Sequence, residues 1–156
     1  MQRRNVMTVA LAGIGGLLAA AGGATRARAD VTGPARNIPD KSKVVYHLSD
    51  LDKVSFVLGN IRNHYDGMGG PDKVTIALVI HGPALKAFHA ASVTLATAHD
   101  VRKLASIGLS LNACGHTMKG QKVGLKDLLP GFVEADRGGV VRIAELQAQG
   151  YVYLRP

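Results

Sequence analysis

The sequence predicts an α/β fold: a single doubly wound domain whose mainly parallel sheet of about five strands carries helices on both faces. Three observations carry this expectation. Apolar, β-branched runs of strand length alternate along the chain with segments of helical period, as consecutive β-α units do. One run, KVTIALVIH at residues 73–81, is nearly unbroken in its apolarity, as befits a strand buried on both faces of a helix-covered sheet. Once an N-terminal address segment is set aside, the remaining length suits one domain around one core.

That address segment opens MQRRNVMTVALAGIGG. Arg3 and Arg4 precede a mild apolar stretch from Val6 to Ala21, and Ala27, Arg28 and Ala29 put small residues where a signal peptidase reads. Paired arginines and a weak apolar core resemble a twin-arginine export signal, with Val6 and Met7 where the usual motif has Phe and Leu. The stretch is too short and too glycine-rich for a comfortable membrane span, which takes about 20 strongly apolar residues. Residues 1–29 are therefore expected to be cleaved after Ala29, leaving a periplasmic protein with no stable membrane insertion. Residues 30–42, with two prolines and a glycine and no apolar period, read as a flexible leader, and the α/β domain as residues 43–156.

The elements follow in order. KVVYHL at 43–48 is the first strand. In residues 49–70, Ser49 and Asp52 have the spacing of a capping box. Val54, Val57, Leu58, Ile61 and Tyr65 form one helix face, which ends in the glycines of 67–70 and Pro71. After the strand at 73–81, GPALKAFHAA at 82–91 puts Pro83 at the start of a helix. Residues 92–98 fit either an extension of that helix or a loop. HDVRKLASIG at 99–108 is a helix stopped by Gly108, and LSLNAC at 109–114 the third strand. KVGLKDLLP at 122–130 reads as a short helix ended by Pro130, GFVEA at 131–135 as a short strand, GVVRIAELQAQG at 139–150 as a helix and YVYL at 151–154 as the last strand.

Composition narrows the function. The formal charge is +8 over 156 residues, but four arginines lie before residue 30, so the remainder carries only +4. With no Trp and no arginine cluster in that remainder, a base-stacking, nucleic-acid-binding surface is not expected. GxGxxG, GxxxxGK[ST] and GxSxG are absent, which removes the usual phosphate loops and the hydrolase elbow. No CxxC or HExxH spacing supports a metal, so no cofactor is expected, although a Cys and His set of this kind could take zinc or copper.

What stands out is the single cysteine, Cys114. An unpaired cysteine in an exported chain is either a free thiol or an intermolecular bond. Strand direction puts Cys114, and with it His47, His81 and His116, at the carboxyl edge of the sheet, where ligands of open α/β sheets bind. Gly115 permits a tight turn there, and His116, Lys119, Lys122 and Lys126 bring positive charge, which favours the thiolate. The competing view is that Cys114 is a small apolar filler of the core, as free cysteines often are. His64, His89 and His99, in or near helical patterns, read as partly exposed surface residues.

The order of VVYHLSD, NIRNHYD, VTIALVIHGPAL, LNACGHTMKG and GVVRIAELQAQGYVYLRP resembles the DsrE/DsrF-like family across residues 43–156. The HGPAL segment and the Cys-x-x-Thr-Met-Lys segment carry most of the likeness. The resemblance implies a compact five-stranded α/β fold of the flavodoxin-like kind and assembly into oligomers, often trimers or hexamers. It also implies a cysteine at the position of Cys114 that carries sulfur as a persulfide. The expectation is thus a periplasmic, homo-oligomeric sulfur carrier that exchanges sulfur with thiol or persulfide proteins. Cys114 is its reactive residue, His116 and Lys119 support the thiolate, and His81 is a site neighbour. The alternative is a non-catalytic periplasmic module binding a metal or small ligand at the same strand ends.

Overall fold

The computed structural model describes residues 41–156; the expected export signal, 1–29, and the expected leader, 30–42, up to residue 40 lie outside them. β1 (Ser42–Leu48) begins one residue before the first β-branched run. It pairs in parallel with β2 (Val74–Ile80), placing His47 opposite Val79. β2 pairs with β3 (Ser110–Cys114), and β3 with β4 (Phe132–Ala135). The last strand, β5 (Val152–Leu154), returns to the far side of β1, giving the all-parallel order β4-β3-β2-β1-β5.

This order dictates where the helices go. The connections from β1 to β4 all step in one direction across the sheet, so right-handed crossovers put α1 (Val54–Met68), α2 (Leu95–Ser106) and α3 (Gly115–Gln121) on one face. The connection from β4 back to β5 steps in reverse and puts α4 (Gly139–Ala148) on the other. The core divides accordingly. Ile76, Leu78, Ile80, Leu111 and Ala113 meet Leu58, Ile61, Tyr65, Leu104 and Met118 in the larger part. Val45, Ala77 and Val79 meet Ile143 and Leu146 in the smaller. β2 is covered on both faces, which is why its sequence is so uniformly apolar.

α1 buries the five residues its period picks out, Val54, Val57, Leu58, Ile61 and Tyr65. It stops at Gly69, whose φ of 85° suits glycine. Its start differs from the expectation. No capping box forms at Ser49; a 3-10 turn at Leu51–Lys53 leads into the helix, without a side-chain cap. Arg155, from the far end of the chain, instead donates to the Ser49 hydroxyl at 3.0 Å and pairs with Asp50 at 3.2 Å.

Three further corrections concern the middle of the chain. Residues 82–91 do not form an α-helix but a 3-10 helix, Gly82–Phe88, in which Leu85 and Phe88, three residues apart and so eclipsed, are fully buried. α2 starts at Leu95, four residues before the expected position, because the Thr94 hydroxyl caps it by accepting from the Thr97 N–H at 3.1 Å. The short helix near residues 122–130 is only a 3-10 turn, Leu125–Asp127. The helix lies earlier, as α3, directly after Cys114. Gly115 hides it from the sequence, since glycine is a poor helix former. Here glycine is needed for space: a Cβ on it would lie 2.7 Å from Glu134 Oε1 and 3.1 Å from the Ala135 carbonyl oxygen.

Candidate functional site

Parallel register aligns the chemistry of the chain along one edge. Val45, Ala77 and Val79 face α4, so by the two-residue strand period His47, His81 and Cys114 face the same side. Ile80 pairs with Ala113, which brings the next residues, His81 and Cys114, side by side. Tyr153 pairs with Val45 on the outer side. Across the carboxyl edge the row therefore runs Tyr153, His47, His81, Cys114. Cys114 also ends the strand whose following helix lies on one face while that of its neighbour β4 lies on the other. That reversal is the crevice at which open α/β sheets bind ligands.

Cys114 is 6% exposed. Burial alone would raise its pKa, but the Thr117 hydroxyl and the backbone N–H groups of Thr117, Gly139 and His116 near the sulfur act against it and hold the thiol below its ordinary value. Sulfur is a large and weak acceptor, and the Cys114 side chain, at the N-cap of α3, makes no capping hydrogen bond. The donors come from the first turns of two helices, α3 behind the cysteine and α4 above it. α4 comes so close because residue 139 is glycine. A Cβ there would sit 3.3 Å from Cys114 Cβ and 3.4 Å from both His81 Cβ and Val79 Cγ1.

The Thr117 hydroxyl is oriented by its surroundings. It accepts from the Gly82 N–H at 2.9 Å, and the Gln121 side-chain amide donates to the Gly82 carbonyl at 2.9 Å. With one lone pair engaged, its own proton is free for the sulfur. The loop after β2 and the helix after β3 are thereby clamped together beneath the thiol.

His81 adjoins the cysteine, as its place at the end of β2 predicts. Its Nε2 meets His47 Nε2 at 2.5 Å, and His47 Nδ1 is 2.7 Å from the Tyr153 hydroxyl. Burial first, then the charges of His81 and Arg155, lower the His47 pKa to about 4 against an opposing effect of Asp50. Burial and then Arg155 lower that of His81 as well, again opposed by Asp50. His116 is exposed, its ring lying over Gly138, where a Cβ would come within 2.7 Å of His116 Cδ2. It helps the thiol through its backbone N–H. Lys119 is exposed on α3 and is not among the groups that lower the Cys114 pKa. The N–H and O–H donors of Thr117, Gly139 and His116 act against the burial of this thiol.

Of the histidines read as surface residues, His64 and His89 are half-buried and bonded, to the Tyr46 hydroxyl at 2.9 Å and the Gln121 side chain at 2.8 Å. Beside Cys114, on the α4 side of β3 and β4, lies a cleft of about 190 Å³ lined by Asn112, Arg137, Arg142 and Glu145. Asn112 is 2% exposed and accepts from Arg142 Nε at 3.1 Å. Among the described residues, no three His, Cys, Asp or Glu side chains converge on one point as a metal cluster would, and no helix is long and apolar enough to cross a membrane.

Sequence reasoning missed Thr117, Gly139 and Tyr153. The Cys-x-x-Thr spacing at a strand-to-helix junction was a usable signal for Thr117, because residues three apart at a helix start meet. Gly139 and Tyr153 act across long sequence separations and left no local signal.

No family model matches the chain, and no curated protein matches it. Among solved structures, a protein of unknown function from Methanobacterium thermoautotrophicum is similar, with a TM-score of 0.65 and 26% sequence identity over 74% of this chain and 99% of that one. The likeness supports the five-stranded doubly wound fold.

Proposed function

We propose that the chain is a sulfur carrier that holds a persulfide on Cys114. The observation that carries this reading is the placement of the chain's one cysteine at the carboxyl end of a central strand, beneath the first turn of α4 and at the start of α3, whose N–H and O–H donors lower its pKa. A thiolate is the attacking species in sulfur exchange, and its availability sets the rate. The Cys114 thiolate attacks a sulfur of a polysulfide. A new Sγ–S bond forms, a donor S–S bond breaks, and the shortened polysulfide leaves with the electron pair. In the second step an acceptor thiolate attacks the outer sulfur, and Cys114 departs as a thiolate. No external oxidant or reductant enters. The donors from Thr117, Gly139 and His116 favour the anion at the start and as the leaving group.

On the same reading the carrier is periplasmic, which the twin-arginine-like pattern of residues 1–29 supports. The resemblance to the DsrE/DsrF-like family supports a homo-oligomer, a trimer or hexamer, that exchanges sulfur with thiol or persulfide proteins. Inorganic polysulfide is the probe of choice, because a small anion can reach a nearly covered thiol. After incubation, mass spectrometry of the Cys114 peptide should show one or more added sulfur atoms, absent from Cys114→Ser protein. An unmodified Cys114 peptide, or equal uptake by Cys114→Ser, refutes the proposal.

A further inference from the structure

The cleft beside Cys114 has a chemistry of its own. We propose that it binds the oxyanion group of the sulfur donor, and that the donor is a thiosulfonate-type anion: a sulfane sulfur attached to an oxidised sulfur that bears anionic oxygens. Thiosulfate is the simplest of this class. The assignment rests on the sulfur-carrier reading of Cys114 and adds which donor the thiol takes.

The walls of the cleft are the immediate neighbours of the thiol. Ala135 is the register partner of Cys114 on β4, Asn112 lies two residues before it on the same face of β3, and Gly138 precedes the glycine that packs on it. Two guanidiniums, those of Arg137 and Arg142, line the same cleft. Each carries five N–H donors. Arg142 gives Nε to Asn112 at 3.1 Å and Nη1 to Glu145 at 3.5 Å, and Arg137 gives Nη2 to Glu145. Among the described residues, no acceptor takes their other side-chain protons. One carboxylate thus stands against two guanidiniums. Two further acids line the wall. Glu134, which pairs with the oppositely facing Ala113, has its Oε1 against Gly115 of α3, and Asp136 Oδ1 accepts from the Arg137 backbone N–H at 2.8 Å. α4 adds to the positive field. It is 10 residues long and starts at this cleft, with no side-chain cap and no acidic residue in its first turn. Its N-terminal N–H groups therefore favour an anion.

Size and donor type select the ligand. At about 190 Å³ the cleft is smaller than the sites of about 300–1,000 Å³ that take drug-sized molecules, so it suits a small ion. Guanidiniums favour oxyanions, which accept paired N–H···O bonds, whereas sulfur is a weak acceptor. A bare polysulfide presents sulfur alone. Thiosulfate presents oxygens to the arginines and keeps its sulfane sulfur for the thiol. Ala135 and Cys114 stand one strand spacing apart, about 4.8 Å, a distance that a small ion spans. In the reaction the Cys114 thiolate attacks the sulfane sulfur. A new Sγ–S bond forms, the S–S bond of thiosulfate breaks, and sulfite leaves with the electron pair. Atoms and charge balance with no added oxidant or reductant.

The test has a binding arm and a loading arm, both with thiosulfate. By calorimetry, Cys114→Ser protein, which cannot react, should bind one thiosulfate per chain. Adding Arg137→Gln or Arg142→Gln should each weaken that binding at least tenfold, as the loss of a hydrogen bond to a charged group does. Lys73→Gln, which removes a charge just before β2 at the opposite end of the sheet, should leave it unchanged. Arg142 also bonds Asn112, so the largely exposed Arg137 keeps the test clear of folding, and circular dichroism checks each variant. In the loading arm, anaerobic incubation of the parent with thiosulfate should add one sulfur atom to the Cys114 peptide and release an equal amount of sulfite. The proposal is overturned if Cys114→Ser protein binds no thiosulfate, or if the Arg137→Gln variant binds it as tightly. A parent that polysulfide loads and thiosulfate does not also overturns it, with the carrier reading intact. A parent that neither loads overturns both.

Discussion

Thr117→Val isolates what the hydroxyl donor does for Cys114. Valine keeps nearly the shape of threonine and removes only the hydroxyl, which reaches the sulfur and accepts from the Gly82 N–H at 2.9 Å. A hydrogen bond to a charged group contributes about 1.5–3 kcal/mol, and for a weak acceptor such as sulfur the lower end applies. About 1.4 kcal/mol corresponds to a tenfold change in an equilibrium constant. The thiolate fraction at neutral pH should therefore fall about tenfold, and the alkylation rate with it. The assay is the rate of iodoacetamide labelling of Cys114 against pH, followed by mass spectrometry. The profile should move to higher pH while its plateau at high pH stays nearly unchanged. Thr117→Ser, which restores a hydroxyl, should recover most of the parent profile. Stability should drop by about 1 kcal/mol in the valine variant, because the Gly82 N–H loses its partner. Superimposable profiles for Thr117→Val and the parent, or the same displacement in Thr117→Ser, would refute the role given to the hydroxyl.

Acid should destabilise the fold through the histidine pair. The folded His47 value of about 4 lies below the ordinary 6.5, so between the two the unfolded chain binds more protons. His47 stabilisation is then complete above about pH 6.5 and lost as pH falls toward 4, with His81 acting in the same direction. Urea midpoints measured across this window should fall with pH, and more shallowly in His47→Gln. Gly138 has φ 99° and ψ 157°, a region essentially reserved for glycine. Gly138→Ala should cost about 1–3 kcal/mol from backbone strain alone, before the His116 ring is displaced, as chemical denaturation would measure. Ile61 is fully buried under the larger core, so Ile61→Ala should lower unfolding free energy by about 2–5 kcal/mol. A smaller loss in the same denaturation assay would mean that the helix α1 packs more loosely than described.

Features that depend on neighbours along the chain are legible in the sequence. The buried face of α1, from Val54 to Tyr65, the double burial of β2 and the alternation of strands and helices are written in local apolar period, because each helix or strand must bury one stripe or face. The same alternation places Cys114 at a strand's carboxyl end. Short elements were less legible: α3 begins with a glycine, and in seven residues it buries one large side chain, Met118, too little to leave a periodic trace. The surroundings of the cysteine and the histidines depend instead on long-range packing. His47 and His81 are 34 residues apart, and His47 and Tyr153 are 106 apart. They meet because parallel register and the returning strand β5 bring them to one edge. Gly139 matters because α4 crosses to the opposite face and lowers its first turn onto the sulfur. The donors that favour the Cys114 thiolate are mostly backbone N–H groups, which every residue but proline carries. Their presence is independent of side-chain identity, and only the path of the chain aims them at one atom.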